Sequence, residues 1–132
     1  MERIFRGKTL SQDEHFDDGE WVEGFYTRFN GKEHRIYSGY AETDCGDYYP
    51  DWFNVLPETV GQYTGLTDKN GKKIFEGDIV KVHRNEIYEI AYIAKYTRFA
   101  GKRKGVVFAN FNFSMCEIIG NIYDNPELLE VK

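Results

Sequence analysis

Apolar and aromatic positions along this chain come in short runs, separated by turns that carry Gly, Asn and Asp. That is the pattern of a protein built from short β-strands. Ile4-Phe5 predicts a short edge strand, cut off by Arg6-Gly7. Ser11 to Glu20 is polar and acidic and predicts a loop. Glu20 to Arg28 predicts a strand, Asn30-Gly31 a tight hairpin turn, and Lys32 to Tyr37 the returning strand, because Asn and Gly tolerate the positive φ such turns need. Ser38 to Pro50 predicts an irregular loop, and Asp51 to Leu56 a short strand ended by Pro57.

The second half is patterned more clearly. Gln62 to Gly65 leads into Asp68-Lys69-Asn70-Gly71, a second hairpin signal, with Lys73-Ile74-Phe75 as its return. Glu76-Gly77-Asp78 predicts a turn. Ile79 to Val82 departs from strict alternation at its start, which predicts a bulge or burial on both faces. Ile87 to Ile93 is apolar or aromatic at most positions and is the expected central strand. Tyr96 to Gly105 predicts a basic loop, and Val106 to Phe113 a strand with Phe111 and Phe113 on one face and Asn110 and Asn112 on the other. Ile118 to Tyr123 is the last expected strand. Asn125-Pro126 predicts a capped, single helical turn over Pro126 to Leu129. The C-terminal half offers about five short strands, a number that suits a small barrel.

Composition strengthens this picture. Val, Ile, Tyr, Phe, Trp and Thr total 47 of the 132 residues, against 12 for Leu, Ala and Met, which excludes a helix bundle. Length fits one domain able to bury a core without disulfides. Cys45 and Cys116 stand far apart with no CxxC, so free thiols are expected and a cysteine-rich zinc site is not. The first residues, MERIFRGKTL, hold no apolar signal region, and no run approaches a membrane span; a cytoplasmic protein without a membrane partner is expected.

Charge changes the picture more. The net charge of −5 is the sum of −7 over residues 1–66 and +2 over residues 67–132. Lys95, Arg98, Lys102, Arg103 and Lys104 cluster without an acid, which predicts contact with an anion such as single-stranded nucleic acid, or attraction between halves or between subunits. The adjoining Lys104 to Phe111 loosely matches an RNA-binding strand at Lys104, Gly105, Phe108 and Phe111, but not at the first aromatic and second small positions.

Candidate chemistry is sparse. Asp68-Lys69-Asn70 begins like a calcium loop, but Lys72, Lys73 and Ile79 stand at its fifth, sixth and twelfth positions and exclude an EF-hand. Asp44, Asp47 and Asp51 could hold a hard cation only by converging; a solvated acidic loop is the expectation. His15, His34 and His83 lack zinc-site spacing, and no nucleophile elbow, phosphate-binding loop or dinucleotide fingerprint is present. Glu76 and Asp78 are expected to cap backbone amides rather than act as acid and base. No enzyme activity, cofactor or metal is therefore expected.

The stretch Pro57 to Val80 (PETVGQYTGLTDKNGKKIFEGDIV) closely resembles the signature of the YopX family. Phe5 to Lys8 with Trp21 to Gly24 is similar to its N-terminal pattern, and Ile119 to Leu129 to its C-terminal one. The resemblance implies a single YopX-like domain over residues 1–132, a small, mostly β, phage- or prophage-encoded protein that self-associates and contacts host or phage proteins. It brings no catalytic residue. Within that domain, residues 1–56 are expected to form a β extension with a hairpin and 57–132 a small SH3-like barrel, since Glu76 to Val80 resembles the entry to such a barrel. Gly65, Asp68, Gly71, Glu76, Gly77 and Asp78 are read as fold-maintaining turn residues, Gly for positive φ and Asp as an acceptor for its own turn.

Overall fold

Strand formers dominate the chain, and strands are what it forms. The computed structural model describes residues 4–10, 20–108 and 110–130, with the backbone alone at Ala41, Tyr49 and Pro50. Among them the chain is mainly β, with helical structure confined to short 3-10 turns. It divides into two compact units, Met1–Gln62 and Tyr63–Lys132.

The first unit is an antiparallel sheet of β1 (Phe5–Lys8), β2 (Trp21–Phe29), β3 (Glu33–Glu42) and β4 (Tyr48–Asn54), joined on its β1 side by the start of β5 (Gly61–Thr67). The Asn30-Gly31 hairpin forms as expected, both residues at positive φ. Strand β1 is not an edge: it pairs with Gly24 to Trp21 on one side and with Gln62 and Gly61 on the other. The irregular loop expected over 38–50 shrinks to residues 43–47, because β3 and β4 keep pairing past a bulge at Ser38, from Gly39↔Asp51 to Glu42↔Tyr48. Of the loop expected over Ser11 to Glu20, all but Glu20 lies outside the described residues. One face of the sheet buries Val22, Ile36, Phe53 and Val55, with Phe5, Tyr26 and Val60 packed against them. Each such side chain contributes about 2 kcal/mol on leaving water.

The second unit begins with the β5–β6 hairpin, β6 being Lys73–Phe75, around the expected Asp68–Gly71 turn. A five-stranded antiparallel sheet follows: β7 (Asp78–Val82), β8 (Glu86–Ile93), β9 (Arg98–Arg103), β10 (Val106–Phe108) and β11 (Glu117–Asn121), in the order β10-β9-β8-β7-β11. Strand β8 is central, as its apolar run predicts. Ile79 and Val80 of β7 are both fully buried, so that strand is covered on two faces, while the bulge lies opposite it between Ile118 and Gly120 of β11. The core gathers Ile74, Val80, Tyr88, Ile90 and Cys116.

The sheet does not close into the expected SH3-like barrel. Edge strands β10 and β11 pair with no further strand among the described residues. The edge amide of Ile118 on β11 donates to Asp68 Oδ2 at 3.0 Å, so a turn carboxylate occupies the place a closing strand would need. Two further expectations change. The basic segment is a strand rather than a loop, because Lys104-Gly105 takes positive φ at both residues and forms a tight hairpin. Strand β10 ends at Phe108, and Phe111 turns back through its N–H to the Phe108 carbonyl. The RNA-binding strand match thus fails in geometry as well, since Phe108 and Phe111 do not share a strand. The C-terminal turn forms over Pro126–Glu130, but Asn125 Oδ1 accepts from the Asn121 N–H instead of capping it.

Candidate functional site

The signature residues of the second unit build a corner and a latch. Gly65 (φ +86) lies within β5 at its register irregularity rather than in a turn; Gly71 (φ +84) sits in the hairpin turn. Gly77 (φ +93) makes the corner after β6: its N–H donates to Ile90 O at 2.8 Å and its carbonyl accepts from Ile122 N–H at 2.9 Å. Asp78 Oδ2 accepts from Phe75 N–H at 2.8 Å and closes the same corner, with Glu76 beside it. Asp68, only 4% exposed, is the latch: its carboxylate accepts from the amides of Asn70, Lys72 and Ile118 at 2.9–3.0 Å. Burial alone would raise its pKa; those amides outweigh it and hold the carboxyl below the ordinary value. Asp68 thus spends both oxygens, and Asp78 its Oδ2, on backbone amides.

Cys116 lies beneath this latch. Burial, with the nearby Asp68 charge, pushes its thiol up to about 11, and Sγ donates to Phe113 O at 3.1 Å. Cys45 is exposed. Only the thiolate reacts, so a thiol-reactive dye should label Cys45 of the native protein fast and Cys116 only after unfolding; rapid labelling of both would contradict this packing.

The basic cluster is divided. Along β9 successive side chains alternate in face, so Arg98 and Lys102 share one face and Arg103 the other. Arg103 Nη1 stands 3.7 Å from Glu86, and its guanidinium lies 5.9 Å from the Tyr88 ring centre. The Tyr88 hydroxyl donates to Glu86 at 2.7 Å, which holds the glutamate ionised below its ordinary range. This network borders a groove of about 670 Å³ lined by His83, Tyr88, Phe108, Phe111 and Met115. Arg98 and Lys102 are exposed and form no ion pair among the described residues. Lys104 is exposed in the hairpin turn, and Lys95 stands in a 3-10 turn with Nζ 5.7 Å from the Tyr96 ring. The Glu86–Tyr88–Arg103 network escaped the sequence reading; alternate spacing of Glu86 and Tyr88 on a central strand was its only local signal.

Asp44 and Asp47 lie in the β3–β4 turn while Asp51 pairs with Gly39 in the strand, and no three His, Cys, Asp or Glu side chains cluster among the described residues. His34 bonds the Tyr26 hydroxyl, His83 sits in the turn before β8, and His15 lies outside the described residues.

The first unit carries an aromatic surface. On the sheet face opposite the core, Arg35 is stacked between Phe29 at 3.8 Å and Trp52 at 3.7 Å, and Arg6 lies over Trp21 at 4.7 Å. Phe25 is 69% exposed. Pairing of β2 with β3 ends at Phe25↔Tyr37, so beyond Tyr37 the β3–β4 hairpin continues as a two-stranded arm. Its Tyr40 and Tyr48 are 76% and 71% exposed. No helix among the described residues is long and apolar enough to cross a membrane.

Comparison with known proteins places these features. A family model described as YopX protein matches residues 5–130. Among solved structures, the crystal structure of protein EF1440 from Enterococcus faecalis is similar, with 27% identity over 96% of each chain and a TM-score of 0.58. Among curated proteins no match is found.

Proposed function

This chain belongs to the YopX family, and from that premise we propose that it is a non-enzymatic phage or prophage accessory protein that acts in the host cytoplasm as a self-associating protein-interaction module. The observation that carries this reading is the exposed aromatic surface of the first unit, with Phe25, Tyr40 and Tyr48 each about 70% exposed or more. Large exposed aromatic side chains mark binding surfaces, where covering their rings contributes most of the contact energy. The two aspartates of the signature support the same reading, because Asp68 and Asp78 are buried and accept from backbone amides. Sedimentation velocity on the purified protein should show a concentration-dependent oligomer. A monomer at every soluble concentration would overturn self-association.

A second reading rests on Arg98, Lys102 and Lys104, which are exposed along one hairpin and could track the phosphates of a single strand. It predicts binding to a thymidine oligonucleotide that weakens steeply with salt. Absence of binding at low salt would end it.

A further inference from the structure

The arm poses a physical problem that its own unit does not solve. A two-stranded ribbon is marginal in water unless a third strand or another surface covers it. Beyond Tyr37 the β3–β4 arm has no third strand among the described residues, and every side chain described from Ser38 to Tyr48 is exposed. Such an arm persists best where something packs on it.

Charge identifies what fits. Residues 38–51 hold four acids, Glu42, Asp44, Asp47 and Asp51, and no base. Residues 95–104 hold five bases and no acid. Arg98 and Lys102 stand exposed on one face of β9 and form no ion pair among the described residues. One surface is acidic with exposed tyrosines, and the other is basic. Every copy of the chain carries both.

Building on the self-association reading, we infer that the acidic β3–β4 arm of one copy docks on the basic β9–β10 hairpin of a second copy. The contact is heterologous, because the two patches differ, so each copy both gives an arm and receives one, and assembly proceeds head to tail into a ring or an open chain. Tyr40 and Tyr48 supply the apolar anchors, and Glu42 and Asp47 facing Arg98 and Lys102 supply steering and register.

Charge reversal tests this directly. One variant carries Glu42→Lys with Asp47→Lys, the other Arg98→Glu with Lys102→Glu; all four side chains are exposed, and circular dichroism should show both variants folded. Each alone should self-associate at least about tenfold more weakly than the parent in sedimentation velocity, and an equimolar mixture should restore assembly, since each reversed patch then meets its complement. In the parent oligomer, a thiol–amine cross-linker should join Cys45 of one isotopically labelled copy to Lys102 or Lys104 of an unlabelled one. Parent-like assembly of both single variants, or loss in each without restoration on mixing, overturns the arm-to-hairpin contact while leaving self-association intact. A monomeric parent overturns the self-association reading itself. An unchanged oligomer in the Arg98→Glu, Lys102→Glu variant, with lost binding to a thymidine oligonucleotide, assigns the basic hairpin to nucleic acid instead.

Discussion

Replacing Gly24 with alanine is expected to destabilise the N-terminal unit by about 3 kcal/mol or more, the largest single effect predicted for this protein. A Cβ built on Gly24 would lie 2.0 Å from the Tyr37 carbonyl oxygen and 2.7 Å from its carbon. Those are backbone atoms, so no rotamer change relieves the overlap. The strands must part, and they part where β2 is held on both sides: Phe5 of β1 pairs with Gly24 itself, and Tyr37 of β3 with the next residue, Phe25. The buried cluster of Val22, Ile36 and Phe53 spans β2, β3 and β4 and would open where β2 and β3 part. Urea denaturation monitored by tryptophan fluorescence reads the result, since Trp21 and Trp52 both lie in this unit. A loss below about 0.5 kcal/mol, the range of ordinary surface changes, would mean that β2 and β3 do not pair in this register.

The second large effect belongs to Asp68. Asp68→Ala removes the acceptor of three amide hydrogen bonds and leaves those amides to find water, one of them, from Ile118, fifty residues away in sequence. Bonds to a charged acceptor contribute more than neutral ones, and the three act as a group, so the loss should be about 3 kcal/mol. Asp68→Asn keeps an acceptor oxygen but not the charge and should lose less. The pH dependence follows from the direction of the shift. The folded carboxyl titrates below the 3.8 of an ordinary aspartate. The unfolded state therefore binds the proton more readily, the contribution is complete above about pH 4, and it fades as pH falls through the lower, folded value. The stability gap between parent and Asp68→Asn should accordingly be constant near neutrality and narrow in acid. A gap that stays constant through that range would show that the charge of Asp68 is not what the amides recognise.

Both predictions touch features that the residues announced only in part. Asp68 is recognisable locally as a turn acceptor, because Asn70 and Gly71 follow it, and its bonds to the Asn70 and Lys72 amides are the local share of its role. Its bond to Ile118 is not local, and nothing near Asp68 in the chain signals it. Gly24 stands in a run of strand formers where glycine lowers strand propensity. Why it is there becomes evident only from the approach of Tyr37. The basic run from Lys95 to Lys104 was legible as charge. Its division over two faces of β9 was not, because the basic, Gly-bearing composition of residues 96–105 signals a loop, and the alternation of faces applies only to a strand.

The arm shows the same division. Asp44 and Asp47 are legible as part of an acidic loop, and Gly39 and Gly46 make the stretch resemble irregular chain. Cross-strand pairing from Gly39↔Asp51 to Glu42↔Tyr48 turned it into a ribbon.

By itself, the sequence determined the class of structure, the hairpin turns at Asn30-Gly31 and Asp68 to Gly71, the corner at Gly77, and the family. All of these depend on rules that act within a few residues: which side chains suit an extended backbone, which tolerate positive φ, and which can accept from their own turn. The tertiary structure alone decided that β1 lies inside its sheet, that the second sheet stays open with Asp68 at its edge, and that Arg103 faces Glu86 while Lys102 faces away. These outcomes depend on which distant strands share hydrogen bonds and in what register, and a one-residue change of register exchanges every face.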